Sequence, residues 1–320
     1  MEETLISVIM CTYNETVEYV KMAVESILTQ TYKTIELVIV IDNPQNLDVV
    51  AYIRKCALED DRVHFFVNEK NIGLPNSLNV GLRMAKGKII ARMDADDIAL
   101  KDRIMEEYTF LMDHPEYSVI STNKIIIDAT GNVIGVGGKY PTDSEKIKKS
   151  LKYVNIILHP GAMFYKDYIL KLGGYRNIYA AEDYDLWLRV ISDGKNIGIL
   201  DKNLMKYRMS GNNITTQNAY KMWCTHKYVL NLFYERNKRG VDSYTIDELD
   251  TFLKKQGCFD SKNVQKFNLG TKFFHEARFE ASMGKYGKAI RKMIAAAVQH
   301  KEMVAFIINA VQYKILEYRH

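Results

Sequence analysis

Three carboxylates, Asp94, Asp96 and Asp97, share four consecutive positions in the segment IARMDADDI. Like charges this close repel one another, so the cluster calls for a cation, a turn open to water, or both. Two acids bracketing one residue in a tight turn suit a hard divalent cation, which takes oxygen ligands. Mg2+ typically binds through one or two carboxylates together with substrate phosphates. The chemistry in view is therefore a metal that holds a diphosphate. Two other polar turns follow apolar runs: Thr12-Tyr13-Asn14-Glu15 and Asp42-Asn43-Pro44. For any one of these turns an ordinary helix N-cap is the competing reading, since Asp and Asn favour caps and turns.

Strands and helices must bring these turns together. The runs ISVIMC, IELVIVI, RVHFFV and KIIARM read as buried strands. Helical patterns separate them: VEYVKMAVESILTQ, LDVVAYIRKCALE and PNSLNVGLRMA, with LKDRIMEEYTFLMDH after the fourth strand. Continuous apolar strands alternating with helices imply a parallel sheet covered on both faces. Ligands of such a sheet bind beyond the C-terminal strand ends, where all three polar turns fall. Farther on, SVISTNKIIID and NVIGVGG read as strands joined by the turn ATGN, and NIGIL and LMKYRM as two short closing strands. From about Gln217 only helical patterns follow, with no internal period.

Nucleotide sites of two familiar kinds are excluded. The place after the first strand reads CTYNET, without the G-x-G-x-x-G of a dinucleotide fold, and no G-x-x-x-x-G-K-[ST] occurs. The 320 residues, 47% hydrophobic and 26% charged, are too apolar and too varied for disorder. Four scattered cysteines form no C-x-x-C pair, which points away from a zinc ribbon or disulfide scaffold and towards a reducing cytoplasm. An acidic start and the lack of a run of roughly 18 apolar residues predict neither a signal peptide nor a membrane span. The net charge of +5 is uneven: residues 221–320 hold 18 Lys and Arg against 10 Asp and Glu. That balance fits either a solvated basic surface or attachment to an anionic membrane.

In this order the segments SVIMCTYNE, IELVIVIDN, NIGLPNSLNVGLRMAKGKIIARMDADDI, HPGAMFYKDYILKLGGYRNIYAAEDYDLWLRV and LMKYRMSGNNIT resemble glycosyltransferase family 2, inverting enzymes with a GT-A fold. The bacterial enzymes of capsule and exopolysaccharide assembly are the nearest match. The resemblance spans about residues 5–216 and implies an α/β fold, a mainly parallel sheet flanked by helices. The GT-A catalytic domain would be residues 1–216, with a nucleotide-sugar half to about 100 and an acceptor half from 101. A C-terminal helical region, 217–320, would follow. One departure is visible. The family often has two acids and Gly-Ser after the second strand, whereas Asp42-Asn43-Pro44 keeps one acid.

The resemblance also implies roles. A nucleoside diphosphate sugar, expected to be a UDP-sugar, would give its sugar to a hydroxyl of a glycan or lipid-linked acceptor. Asp96 would ligate Mn2+ or Mg2+, with Asp94 on the ribose or the metal's water. Thr12, Tyr13, Glu15, Asp42, Asn71 and Arg92 would serve the nucleotide, Asp42 at the base; an ordinary surface ion pair is the other reading of Arg92. Asp183 would be the general base, with Glu182 supporting or replacing it. His159 and Gly174 would lie on the acceptor side, or else be a hydrogen-bonded structural histidine and a helix end. Arg208 would close over the diphosphate. Asp97 suits the start of the next turn, and Asp185 a surface position. The expected location is cytoplasmic, peripheral on the inner membrane face through 217–320, without a nucleic-acid partner. A nucleotidyltransferase would want a Gly-rich basic loop after strand one. A sugar-binding module would not need Asp183 beside an intact D-x-D.

Overall fold

A computed structural model of the chain describes residues 4–209 and 219–318. The chain divides into two compact units. The first comprises residues 1–148, 156–177 and 185–210; the second comprises 149–155, 178–184 and 211–320. The boundary expected at 216 lies outside the described residues, as does the end of the LMKYRMSGNNIT segment.

The first unit is built on one sheet. Its strands are β1 (Ile6–Thr12), β2 (Ile35–Ile41), β3 (Val63–Val67), β4 (Ile89–Asp94), β5 (Ile98–Ala99), β6 (Tyr117–Ile127), β7 (Val133–Val136), β8 (Met163–Tyr165) and β9 (Asn196–Arg208). They run in the order β3-β2-β1-β4-β8-β6-β9-β5, with β7 beside β6. Every residue of β1 and β2 is buried, as the unbroken apolar runs require of strands covered on both faces. The strands β1 to β4 pair in parallel. The rest of the sheet is mixed: β8 runs antiparallel to β4 and β6, while β9 runs parallel to β6.

Helices α1 (Val17–Leu28), α2 (Leu47–Glu59), α3 (Leu74–Met84) and α4 (Arg103–Asp113) follow the expected patterns. Thr16 caps α1 through its hydroxyl. On α3, a Cβ at Gly81 would come 2.6 Å from Ile9 Cγ2, so glycine lets this helix sit close on β1. Two expectations are corrected. NIGIL and LMKYRM belong to one continuous strand, β9, whose register on β6 shifts at Asn123. The helix expected from residue 100 begins at Arg103, because Ile98 and Ala99 first pair antiparallel with β9. The short helix α5 (Ser144–Ser150) has its last two residues in the second unit, while α6 (Lys166–Lys171) and a 3-10 turn at His159–Gly161 complete this part. Helix α7 (Glu182–Ser192) has its first three residues in the second unit and the remainder in the first.

Among the described residues the second unit holds five more helices: α8 (Ala219–Arg239), α9 (Ile246–Lys255), α10 (Ser261–Ser282), α11 (Tyr286–Ala297) and α12 (Lys301–Tyr318). Thr245 caps α9, its hydroxyl accepting the Glu248 N–H. Asp260 caps α10 by accepting the N–H groups of Lys262 and Asn263. Buried Tyr220, Leu232, Phe267 and Phe274 make the core. No helix among the described residues is long and apolar enough to cross a membrane.

Candidate active site

Three parallel strands end side by side. Cys11 of β1 pairs with Asp94 of β4, and Thr12 with Ile41 of β2. The turns after them therefore meet at one sheet edge. There Thr12 Oγ1 donates to Glu15 Oε2 at 2.7 Å, and the Tyr13 N–H donates to the same oxygen at 2.6 Å. Asn43 Nδ2 donates to Asn14 Oδ1 at 2.8 Å, and Asn46 Nδ2 to the Glu15 carbonyl at 3.1 Å. Tyr13 stays exposed at the rim.

Asp42 is buried and heavily used. Its Oδ1 accepts from Asn68 Nδ2 at 2.8 Å and from the Ile72 N–H at 2.9 Å; its Oδ2 accepts from the Gly73 N–H at 2.9 Å. Asn71 is exposed and accepts the same Gly73 N–H at 2.9 Å. Gly73 has φ 85°, a left-handed conformation that glycine adopts without strain, and α3 starts directly after it. Asp42 thus shapes the loop from Asn68 to Gly73.

The acid turn after β4 is the most unusual feature. Asp94, Asp96 and Asp97 each offer a carboxylate oxygen within 4.8 Å of the others. Asp97 Oδ1 accepts the Arg208 N–H at 2.8 Å, while its Oδ2 is buried with no hydrogen-bond partner among the described residues. Asp97 therefore does not start a helix; it is buried before β5 and tied to the end of β9. Burial, with the charges of Asp94 and Glu15, pushes the Asp96 carboxyl up to about 7. Burial with Asp94 and Asp96 nearby pushes Asp97 well above the usual carboxylate range. A hard cation would relieve the repulsion and give the orphaned Oδ2 a partner, so this all-oxygen donor set fits Mn2+ or Mg2+.

Two arginines flank the turn. Arg92 is buried and ion-paired with Asp94 Oδ1, so it is no surface pair; its Nε and Nη1 have no partner among the described residues. Arg208, expected over a diphosphate, is buried among backbone carbonyls. Its Nε donates to the Asp96 carbonyl at 2.8 Å and its Nη1 to those of Asp128 and Ala129 at 3.1 Å. The guanidinium carbon also stands 4.3 Å from the Tyr19 ring centroid. Arg208 therefore braces the acid turn through its peptide groups.

Within the first unit, His159 is buried, with Nε2 3.0 Å from the Tyr175 hydroxyl and the Trp187 ring edge-on at 6.0 Å. Burial, helped by the Arg92 charge, drives its pKa well below the usual histidine range, so the ring is neutral. Gly174 has φ 67°, and its N–H bonds the Ile169 carbonyl at 2.9 Å, closing α6. A Cβ there would come 2.4 Å from Asn79 Oδ1. Asp185, expected at the surface, is instead buried, because Arg189 Nε donates to it at 2.8 Å. The same guanidinium reaches the carbonyls of Leu172 and Gly174.

In the second unit, Glu182 is buried and Asp183 half-buried. Asn155 Nδ2 donates to Asp183 Oδ2 at 2.7 Å, and the Tyr184 N–H to Oδ1 at 2.7 Å. Ala180, just before, has φ 51°, a conformation rare for a residue with a Cβ. The Tyr184 hydroxyl donates to the Leu151 carbonyl.

The Glycosyl transferase family 2 model matches residues 7–173, just over half of the chain. The chain belongs to glycosyltransferase family 2. Among its relatives, the O-antigen biosynthesis glycosyltransferase WbnJ of Escherichia coli is 34% identical over 75% of this chain and 92% of that protein. An uncharacterized glycosyltransferase, MJ1057, of Methanocaldococcus jannaschii is 31% identical over 74% of this chain and 82% of its own length. The amylovoran biosynthesis glycosyltransferase AmsE of Erwinia amylovora is 30% identical over 68% of this chain and 80% of its own. The mixed sheet, its covering helices and the helical C-terminal region agree with the α/β GT-A class.

Three residues of this family 2 chain that support the site are carried by no motif in the sequence. Asn68 also donates to Ser77 Oγ at 2.9 Å, linking Asp42 to α3. Asn155 lies in an irregular stretch without a motif. Asp128 contributes only its backbone carbonyl to Arg208. For Asn68, its place directly after β3 at the same sheet edge was the one available clue.

Proposed function

We propose that this glycosyltransferase transfers a sugar, with inversion, from a UDP-sugar to a hydroxyl of a glycan or lipid-linked acceptor in surface polysaccharide assembly. The observation that carries the reading is the acid turn after β4, where crowded carboxylates keep a buried oxygen without a partner. The printed functions of WbnJ and AmsE support the polysaccharide setting.

In the reaction the acceptor oxygen attacks the anomeric carbon from the face opposite the diphosphate. The bond from that carbon to the β-phosphate oxygen breaks and its electron pair leaves with the nucleotide. The acceptor proton passes to the Asp183 carboxylate, with Glu182 supporting. A Mn2+ or Mg2+ ion on Asp96 and Asp94 would stabilise charge on the departing diphosphate as a Lewis acid. Thr12, Tyr13, Glu15, Asn71 and Arg92 hold the nucleotide, and the buried Nε and Nη1 of Arg92 have no partner among the described residues. Asp42 serves the base while keeping the 68–73 loop in place. His159 and Gly174 shape the acceptor side.

Asp96→Asn tests this. It removes one anionic ligand at constant size. The expected result is a fall in turnover of about 10²-fold or more and the loss of metal-dependent thermal stabilisation by UDP-sugars. Turnover that survives both this change and exhaustive chelation sinks the metal role. Slow release of free sugar from the donor separates a transferase from a binding module, which releases none.

A further inference from the structure

Helix α11 buries one face and leaves a second apolar face in water. Ala289 and Ala296 are buried. Tyr286, Ile290, Ile294 and Val298 recur every four residues and are 68%, 61%, 60% and 73% exposed. At 3.6 residues per turn these four form one stripe. On the next helix Val304, Ile308, Val311 and Ile315 form another exposed stripe. Single exposed apolar residues are ordinary, but contiguous apolar stripes mark a surface that meets something else.

The charges beside the stripe say what it meets. Residues 281–301 include five Lys or Arg and no Asp or Glu. Lys285, Lys288 and Arg291 are exposed, while Lys292 is held by Glu276. This helix thus carries basic residues and no acid of its own, and Glu276 of α10 pairs with Lys292 alone of those four cations among the described residues. A second copy docking through the same stripe would set these cations against their own kind. An anionic bilayer offers acyl chains to the stripe and phosphate headgroups to the cations, the arrangement of an interfacial amphipathic helix.

We propose that the 286–298 face of the second unit lies on an anionic membrane surface, its aliphatic stripe in the acyl boundary and Lys285, Lys288 and Arg291 at the headgroups. No membrane crossing is required, and the assignment is independent of which sugar or acceptor the enzyme uses.

Co-sedimentation of the full chain with vesicles tests it. Wild type is expected to bind phosphatidylglycerol-containing vesicles, to bind pure phosphatidylcholine weakly, and to be released by salt. I290E/I294E should weaken partitioning by roughly tenfold or more, since it places two carboxylates in the stripe. Both positions are exposed, so the variant's helical circular dichroism should match wild type. If it does not, K285Q/K288Q/R291Q replaces it, and its expected result is loss of the anionic preference. Equal binding of wild type to both vesicle types overturns the proposal, as does unchanged binding by the variants. A wild-type dimer that I290E/I294E converts to monomer assigns the face to a second copy and also overturns it.

Discussion

At the strand edge of the first unit, charge is crowded out of water; on α11 of the second, aliphatic side chains are left standing in it. Both arrangements cost stability, in opposite ways. The Asp94–Asp97 turn keeps carboxylates together, one oxygen of them buried and unpaired. The α11 stripe leaves apolar area exposed that folding could have covered. Elsewhere β1 and β2 are buried along their whole length, with Ser7 of β1 donating to Glu36 of β2, and α9 and α10 are capped. The two local departures are the places where we propose a cation in one case and an apolar, anionic surface in the other.

The comparison is sharpened most by Asp183→Asn. With Asp183 proposed as the base, its loss should cut kcat by roughly 10²- to 10⁴-fold and leave donor affinity within a few-fold. Asp183 belongs to the second unit, whereas the acid turn belongs to the first. Paired measurement of donor affinity and turnover therefore separates the two tasks. Normal turnover in Asp183→Asn together with a dead Glu182→Gln would move the base to Glu182. Full turnover in both would make the segment structural.

Next in size is Arg208→Met. It removes the donors to the Asp96 carbonyl of the acid turn and to the Asp128 and Ala129 carbonyls of the β6–β7 turn, and the stacking on Tyr19. Stability should fall by about 2–4 kcal/mol, because buried carbonyls are left unmet. A denaturant titration that matches wild type would show that Arg208 is not the brace. Asp42→Asn should cost less, about 1–2 kcal/mol, since an amide offers one acceptor oxygen where three donors now converge. Its readout is the melting temperature without nucleotide, and an unchanged value would free Asp42 from holding the loop.

The parallel half of the sheet and its acid turn were legible in the sequence because both depend on local pattern. Apolar runs fix β1 to β4, and the strand-end rule then puts Asp42 and Asp94 at one edge. What was hidden depends on partners distant in the chain. Arg208 looks like a free cation beside Tyr207 until β9 is seen to end against Asp97. Asp185 looks exposed in a polar helix start until Arg189, one turn on, draws it inward. The continuity of β9 was obscured by polar Asp201, Lys202 and Asn203, which stay in the strand because β6 pairs on either side of the register shift.

The smallest expected effect is a pH difference between the units. In the second unit His226 stacks on Tyr184 at 4.6 Å, and burial pushes its pKa down to about 4; burial also lowers His275 and His300. An unfolded histidine takes its proton near pH 6.5. Between about 4 and 6.5 the unfolded chain therefore binds protons that folded His226 refuses, and stability falls as pH drops through that window. The first unit has His159, lowered in the same sense, but also Glu107 of α4, whose carboxyl burial raises to about 7 despite Arg103. A raised carboxyl works the other way: between its unfolded and folded values the folded state holds the extra proton, so stability rises as pH falls. The two effects oppose each other in the first unit and not in the second. Lowering the pH from 7 to 5 should therefore weaken amide protection in α8 and α10 before it weakens β1 and β2. Hydrogen exchange read by peptide at both pH values checks this, and His226→Phe should narrow the gap. Earlier loss of protection in β1 and β2 would mean that the buried acids of the first unit are ionised when folded and that the comparison has its sign reversed.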